Sequence, residues 1–363
     1  MLRPPTEKEV GAMEFLFTDE QKMIEETAQA FFRENATSKR TRAAMTGDGV
    51  DRDLWNAFCT ELGFSGIAVS EDNGGSGLGM VEFAIIAEAA GATVAAIPLL
   101  TLATAVRAIE FGGNNEQRNE WLPLLLSGEK IAASGESSEL EVSGDALSGI
   151  VNHVPYGGSA DIFVFHKDDA AWIVPANTPG LRIEALTTLD QTRPFATVTL
   201  DGARGVSLDN GAAAAAASNT GGWLCLAAEA LGGAQTCLER TCEYARDRVQ
   251  FGRQIGSFQA YKHRLADMMI SVEQARSAVY WAACAVDEGA ADAQTSLRAA
   301  KSYCTDTFFQ CAGDMIQLHG GIGFTWEHDA HLFFKRAKAS QELLGSNHLH
   351  REYIATEILG EAS

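Results

Sequence analysis

The sequence is short of positive charge: 28 Lys and Arg stand against 48 Asp and Glu, a formal net charge of −20. A chain this acidic repels a phosphate backbone at long range, which argues against nucleic acid as a partner. A local pocket with one or two arginines and helix N-termini can still hold a pyrophosphate, because short-range hydrogen bonds outweigh the total charge there. Organised cysteine is also missing. The seven cysteines, Cys59, Cys225, Cys237, Cys242, Cys284, Cys304 and Cys311, are odd in number and contain no CxxC pair and no Cys/His cluster at metal-ligand spacing. They read as reduced core thiols, with no metal site expected. No apolar run reaches membrane length, and Met1–Met13, with Arg3, Pro4, Pro5, Glu7, Lys8 and Glu9, lacks the apolar core of a signal peptide. The expectation is a cytoplasmic chain with no membrane contact.

What is there is length and periodicity. At 363 residues the chain exceeds one compact core, so two or three domains are expected. From Phe17 to about Gly128 the pattern is helical: Thr18 caps a stretch in which Met23, Ile24, Thr27, Phe31 and Phe32 recur at helix spacing, and a second helix through Leu54, Trp55, Phe58, Cys59 and Leu62 stops at Gly63. The glycines of Asn73–Gly79 lack the preceding strand and following Lys-Ser/Thr of a phosphate loop and read as a helix-to-helix turn. From Lys130 to about Asp209 short β-like runs alternate with turn residues. The alanine tract Gly211–Ser218 fits either a linker or a helix start, and everything from Asn219 onward is helical, ending in one expected helix from Asp329 to Leu359. The architecture expected is α+β and multidomain: a helical domain over 14–128, a β-barrel-like domain over 129–212 and a four-helix bundle over 213–363.

Two bundle segments are specific. Tyr244-Ala-Arg-Asp-Arg248-Val-Gln250-Phe251-Gly252 continuing to Gln259, and Gln317-Leu-His-Gly320-Gly321-Ile-Gly323-Phe324, together resemble the two flavin-contact motifs of the acyl-CoA dehydrogenase family. Leu62–Ile67 and Gly74–Leu78 are similar to that family's helical domain, so the resemblance spans nearly the whole chain. It implies FAD as cofactor, acyl-CoA as substrate, electron-transfer flavoprotein as electron acceptor, and a dimer or tetramer in which these motifs reach the flavin of a neighbouring subunit. Arg248 offers a guanidinium fork for a pyrophosphate, Gln250 and Gln259 offer neutral donors, Phe251 an apolar cover, and Gln317 belongs to the same implied cofactor set. Gly320 and Gly321 allow close backbone approach, and Ser346 completes the implied cofactor set.

The implied reaction removes a substrate α proton with a carboxylate, and both usual positions for it are empty. The segment matching Glu-Gly-Thr is Leu344-Gly345-Ser346, and the alternative position on the first bundle helix is Gly222. The β domain departs too: Ala133–Ser138 keeps Glu136 but lacks the family's Thr, and Asn152–Gly158 carries Pro155, which removes a ladder donor and is expected to remodel that edge. What this chain would offer a neighbour's flavin is kept, whereas what it would offer its own flavin and substrate is lost. The resemblance is therefore to the subunit lacking the catalytic Glu in a heteromeric acyl-CoA dehydrogenase, beside a homologous partner chain, such as occurs in steroid or fatty acid degradation. Three rivals remain. One is a self-sufficient dehydrogenase with a relocated base, for which Glu229, two helical turns from Gly222, is the candidate. Another is a flavin monooxygenase on the same fold, using one of His153, His319, His328, His348 or His350. The third is a partner-stabilising subunit that binds no flavin.

Overall fold

The computed structural model describes residues 17–360. The readings of Met1–Met13, of a domain start at 14 and of the last three residues lie outside them. The first segment is helical because its starts and stops are written locally. α1 (Asp19–Asn35) opens on a capping box in which Thr18 and Gln21 satisfy each other's backbone N–H. α2 (Ser38–Met45) follows, and α3 (Arg52–Asn56), capped by Asp51, runs through a widened turn to Gly63, whose φ of +65° ends it. α4 (Met80–Ala92) and α5 (Leu99–Gly112) are apolar nearly all round and are buried, and α6 (Asn115–Leu126) closes the segment. The glycine-rich stretch before α4 is a turn between helices. The start of α4 is capped from far along the chain, where the Asp287 carboxylate accepts the Met80 N–H at 2.7 Å and the Val81 N–H at 3.1 Å.

The middle segment holds two four-stranded sheets. β1 (Ala132–Glu136), β4 (Ile162–Lys167), β5 (Ala170–Pro175) and β8 (Val206–Ser207) lie side by side in that order, with β1 and β4 parallel. β2 (Glu141–Ser143), β3 (Ala146–Pro155), β7 (Phe195–Arg204) and β6 (Leu181–Leu186) form the antiparallel second sheet. Phe163, Phe165, Trp172 and Val174 meet Leu147, Val151, Val198 and Leu200 between the sheets, while Ile162, Val164 and Ile173 on the other face pack against the helices. This two-residue alternation makes a sandwich with open edges, the form the barrel-like expectation takes. Pro155 closes β3 where β7 is its only strand neighbour, and the ladder shifts register between Val151 and Val154, around His153 at φ +55°.

α7 (Gly211–Asp247), capped by Asn210, then runs roughly 55 Å through the molecule. The alanine tract is its first two turns, so the choice between linker and helix start falls to helix. A two-residue hairpin, β9 (Val249–Gln250) and β10 (Arg253–Gln254), leads to α8 (Gln259–Asp287) and α9 (Ala293–His319). The single helix expected from Asp329 to Leu359 is two, α10 (Ala330–Glu342) and α11 (Asn347–Leu359). The chain breaks between them because Leu344 at φ +52° and Gly345 at φ +95° leave helical geometry. α7 lies so close to α4 that a Cβ on Gly91 would overlap the Glu229 backbone, and the first helical segment and the bundle share one core. Among the described residues no helix is long and apolar enough to cross a membrane.

Candidate functional site

Where α5, β1, β3, α7 and α9 meet the break between α10 and α11 lies a cleft of about 400 Å3. Leu344 and Gly222, on separate elements, face each other there. A Cβ on Gly222 would overlap Leu344 Cδ1 and lie 2.9 Å from Thr104 Cγ2, so the missing side chain on α7 makes the room that the leucine fills. The backbone of this turn is held from several sides. The Leu344 carbonyl accepts from Trp223 Nε1–H at 2.9 Å and from His350 Nε2 at 3.0 Å. Lys301, buried in α9, donates to the carbonyls of Gly345 at 2.6 Å and Gln341 at 2.9 Å and to Asn347 Oδ1 at 3.0 Å. A left-handed non-glycine residue costs about 1–3 kcal/mol and persists only where its surroundings over-determine it, as these do.

The charges around the cleft follow from burial. Burial, with Lys301 and Arg298 close by, pulls His350 down to about 4. Its neutral ring gives Nε2–H to Leu344 and leaves Nδ1 to accept from Arg298 Nη1 at 3.4 Å. Arg298 itself lies between the rings of Trp223, at 4.2 Å, and Tyr353, at 4.1 Å. Burial pulls Lys301 down to about 8, against the raising influence of Glu342 and Asp306. The carboxylates bordering the cleft, Glu136 and Glu342, are both exposed, and Glu342 pairs with Lys338 at 2.9 Å. The side-chain atoms nearest Gly222 are methyl groups of Leu344 and Thr104, so nothing at that contact accepts a proton.

Glu229, the candidate relocated base, lies among charged partners away from the cleft lining. It is buried and ion-paired with Arg193, a fully buried arginine between β6 and β7. Burial pushes the Arg193 guanidinium down, and Glu229 and its other neighbours more than offset this, so it stays charged. Beside the pair, Arg336 of α10 donates to Asp190 at 3.2 Å and to the Thr192 carbonyl at 2.9 Å. Glu229 is thus committed to a buried cluster that fastens the 190–193 loop to α7 and α10.

The two motif segments meet at the opposite end of the bundle. Tyr244, near the end of α7, stacks on His319 with ring centroids 4.5 Å apart, and Tyr261, in the first turn of α8, donates to the Leu318 carbonyl at 2.7 Å. These contacts set Arg248, Gln250, Phe251 and Gln259 beside Gln317, Gly320 and Gly321. All seven are exposed. Arg248, Gln259 and Gln317 make no side-chain hydrogen bond among the described residues, and Gln250 bonds only its neighbour's carbonyl. Phe251 is 91% and Phe324 85% exposed, and a Cβ on Gly320 or Gly321 would meet nothing within 4 Å. Ser346 is elsewhere: it caps α11 beside the cleft by accepting the Leu349 N–H at 3.3 Å, and the Lys301-to-Gln317 span of α9 separates the two ends by roughly 24 Å. Of the histidines, His350 and His153 border the cleft, His319 and His328 lie in contact behind the glycine turn, and His348 is exposed.

Residues 18–129 match the N-terminal domain of acyl-CoA dehydrogenases and residues 209–359 match their C-terminal domain. The chain is 34% identical to the acyl-CoA dehydrogenase IpdE2 of Mycobacterium tuberculosis over 90% of its own length and 94% of that protein's. The chain belongs to the acyl-CoA dehydrogenase family. Among solved structures it superposes on one chain of the ChsE4-ChsE5 complex from Mycobacterium tuberculosis with a TM-score of 0.88 at 28% identity, covering 97% of this chain and 100% of that chain. A steroid acyl-CoA dehydrogenase, Tcur3481-Tcur3483, gives 0.84 at 29% identity, covering 94% and 98%.

For an acyl-CoA dehydrogenase family member, the residues that sequence reasoning missed are three that hold the Leu344 turn, Trp223, Arg298 and Lys301, while His350, named above only as a monooxygenase candidate, bonds the Leu344 carbonyl beside them. Their one sequence trace is Trp223 directly after Gly222. Arg298 and Lys301 carry no motif, and only the packing of α9 against α11 gives them a role.

Proposed function

We propose that this chain is the non-catalytic, FAD-completing subunit of a heteromeric acyl-CoA dehydrogenase that carries out α,β-dehydrogenation of an acyl-CoA thioester in the cytoplasm. The observation that carries this reading is the Leu344–Gly222 contact: both family positions for the proton-abstracting carboxylate are occupied by packing. Glu229, the candidate relocated base, is held by Arg193. FAD is the cofactor, and when bound it supplies the hydride acceptor. The exposed hairpin and glycine turn fit such a group, because among the described residues the side chains of Arg248, Gln259 and Gln317 make no hydrogen bond, Gln250 bonds only the Val249 carbonyl, and the space over Gly320 and Gly321 is open. Arg248 would bind the pyrophosphate, Gln250, Gln259 and Gln317 would donate to polar edges, and Phe251 would exclude water. Ser346 would contact a flavin only on its own side of the bundle.

A homologous dehydrogenase chain is the partner this reading requires, with electron-transfer flavoprotein as acceptor. The two-component names of the ChsE4-ChsE5 and Tcur3481-Tcur3483 neighbours support such a partnership, and the steroid designation of the second supports a bulky ring-bearing acyl group. The test is dye-linked oxidation of acyl-CoA by the chain purified alone and with its partner. Activity only in the mixed assembly is the expected result, and turnover by the lone chain overturns the reading.

A further inference from the structure

We infer that Tyr261 is a positioning residue for the flavin contact, fastening the two cofactor-facing segments to each other through the Leu318 carbonyl. The inference rests on the reading of those segments as the FAD-completing surface. Tyr261 stands two residues after Gln259 in the first turn of α8, so it moves with the end of the β9–β10 hairpin that carries Arg248, Gln250 and Phe251. Leu318 is the residue between Gln317 and His319 at the end of α9, where helix carbonyls lack intrahelical partners. The 2.7 Å bond from Tyr261 Oη to that carbonyl satisfies one of them and fixes the exit of α9 just before Gly320, at φ +63°, turns the chain.

Among the described residues, α8 and α9 are also joined here by the pair of Arg264 with the buried Asp314 at 2.8 Å, one turn further from the cofactor-facing ends on both helices. The hairpin is exposed along its length, and the glycine turn is exposed except at Gly323 and Thr325. The Tyr244–His319 stack ties the turn to α7 and not to α8. Tyr261 is the tie nearest the exit of α9, so it sets the last turn before Gly320 and with it the spacing between Arg248 and Gln259 on one side and Gln317, Gly320 and Gly321 on the other. Donors on two segments act together on one ligand only if that spacing is held, and affinity falls with the fraction of molecules in the competent arrangement. Burial, with Tyr244 and Cys242 adding to it, pushes Tyr261 up to about 12, so the hydroxyl remains a donor across the physiological range.

The test uses the assembly purified through a tag on this chain, with FAD release followed by the rise in free-flavin fluorescence after dilution. Tyr261→Phe removes the hydroxyl and keeps the ring; the expected result is FAD release accelerated roughly fivefold, the factor one hydrogen bond represents. Tyr280→Phe is the matched control. It removes the bond from Tyr280 to Glu88 at 2.6 Å, roughly 28 Å along α8 from Tyr261, and lowers thermal stability without changing FAD release. Release unchanged in Tyr261→Phe, or raised as much in Tyr280→Phe, overturns the positioning role. If Arg248→Ala sheds FAD while Tyr261→Phe does not, the role of Tyr261 alone is lost. If neither variant changes release, the flavin-completing reading falls with it.

Discussion

Leu344 packs its Cδ1 into the space that a side chain at Gly222 would occupy. One residue sits in a left-handed turn between α10 and α11 and the other in the first third of α7, and the proposed function takes both as the positions of the missing base. The two positions are thus a single packing solution.

Gly222→Ala tests that packing. The added methyl overlaps Leu344 Cδ1 and crowds Thr104, so the variant loses about 1–3 kcal/mol by overpacking. In Leu344→Ala the same substitution costs much less. Urea denaturation of the two single variants and the double variant measures the coupling, and additive costs contradict the contact.

Glu229→Gln separates an ion pair from a base. The substitution leaves Arg193 charged and buried without its partner, for an expected loss of about 3–5 kcal/mol. Thermal melting should show that loss, while the rate of acyl-CoA oxidation per folded assembly stays unchanged. Normal stability with lost turnover would assign catalysis to Glu229.

Stability should depend on pH through His350. Its folded value of about 4 lies below the ordinary histidine value of 6.5, so between those limits the unfolded chain binds the additional proton. The contribution is complete above pH 6.5 and is lost as the pH falls toward 4. His350→Asn should flatten the slope of stability against pH in that window, while buried His166, also pulled down to about 4 by burial, retains its share. A slope identical to that of the parent chain contradicts a buried, neutral His350.

The local features of the fold were legible in the sequence. Thr18 and Gly63 mark helix ends through their own neighbours, and the hairpin and glycine turn are contiguous segments whose chemistry can be read residue by residue. The break at Leu343–Ser346 was not legible, because Leu344 takes its left-handed conformation only with Trp223, Lys301 and His350 bonded around it. Spacing along α7 correctly put Glu229 two turns from Gly222, yet the residue that determines its role, Arg193, comes from the β segment. The hydrogen bond from Tyr261 to Leu318 was hidden for the same reason, since it joins two helices distant in sequence.

The division of labour is tested most directly by counting FAD in the assembly purified through this chain, with and without Arg248→Ala. The account predicts one FAD per pair of unlike chains, little FAD on the chain alone, and loss of the bound FAD in the variant. One FAD per copy of this chain, bound without a partner and retained in Arg248→Ala, would contradict it.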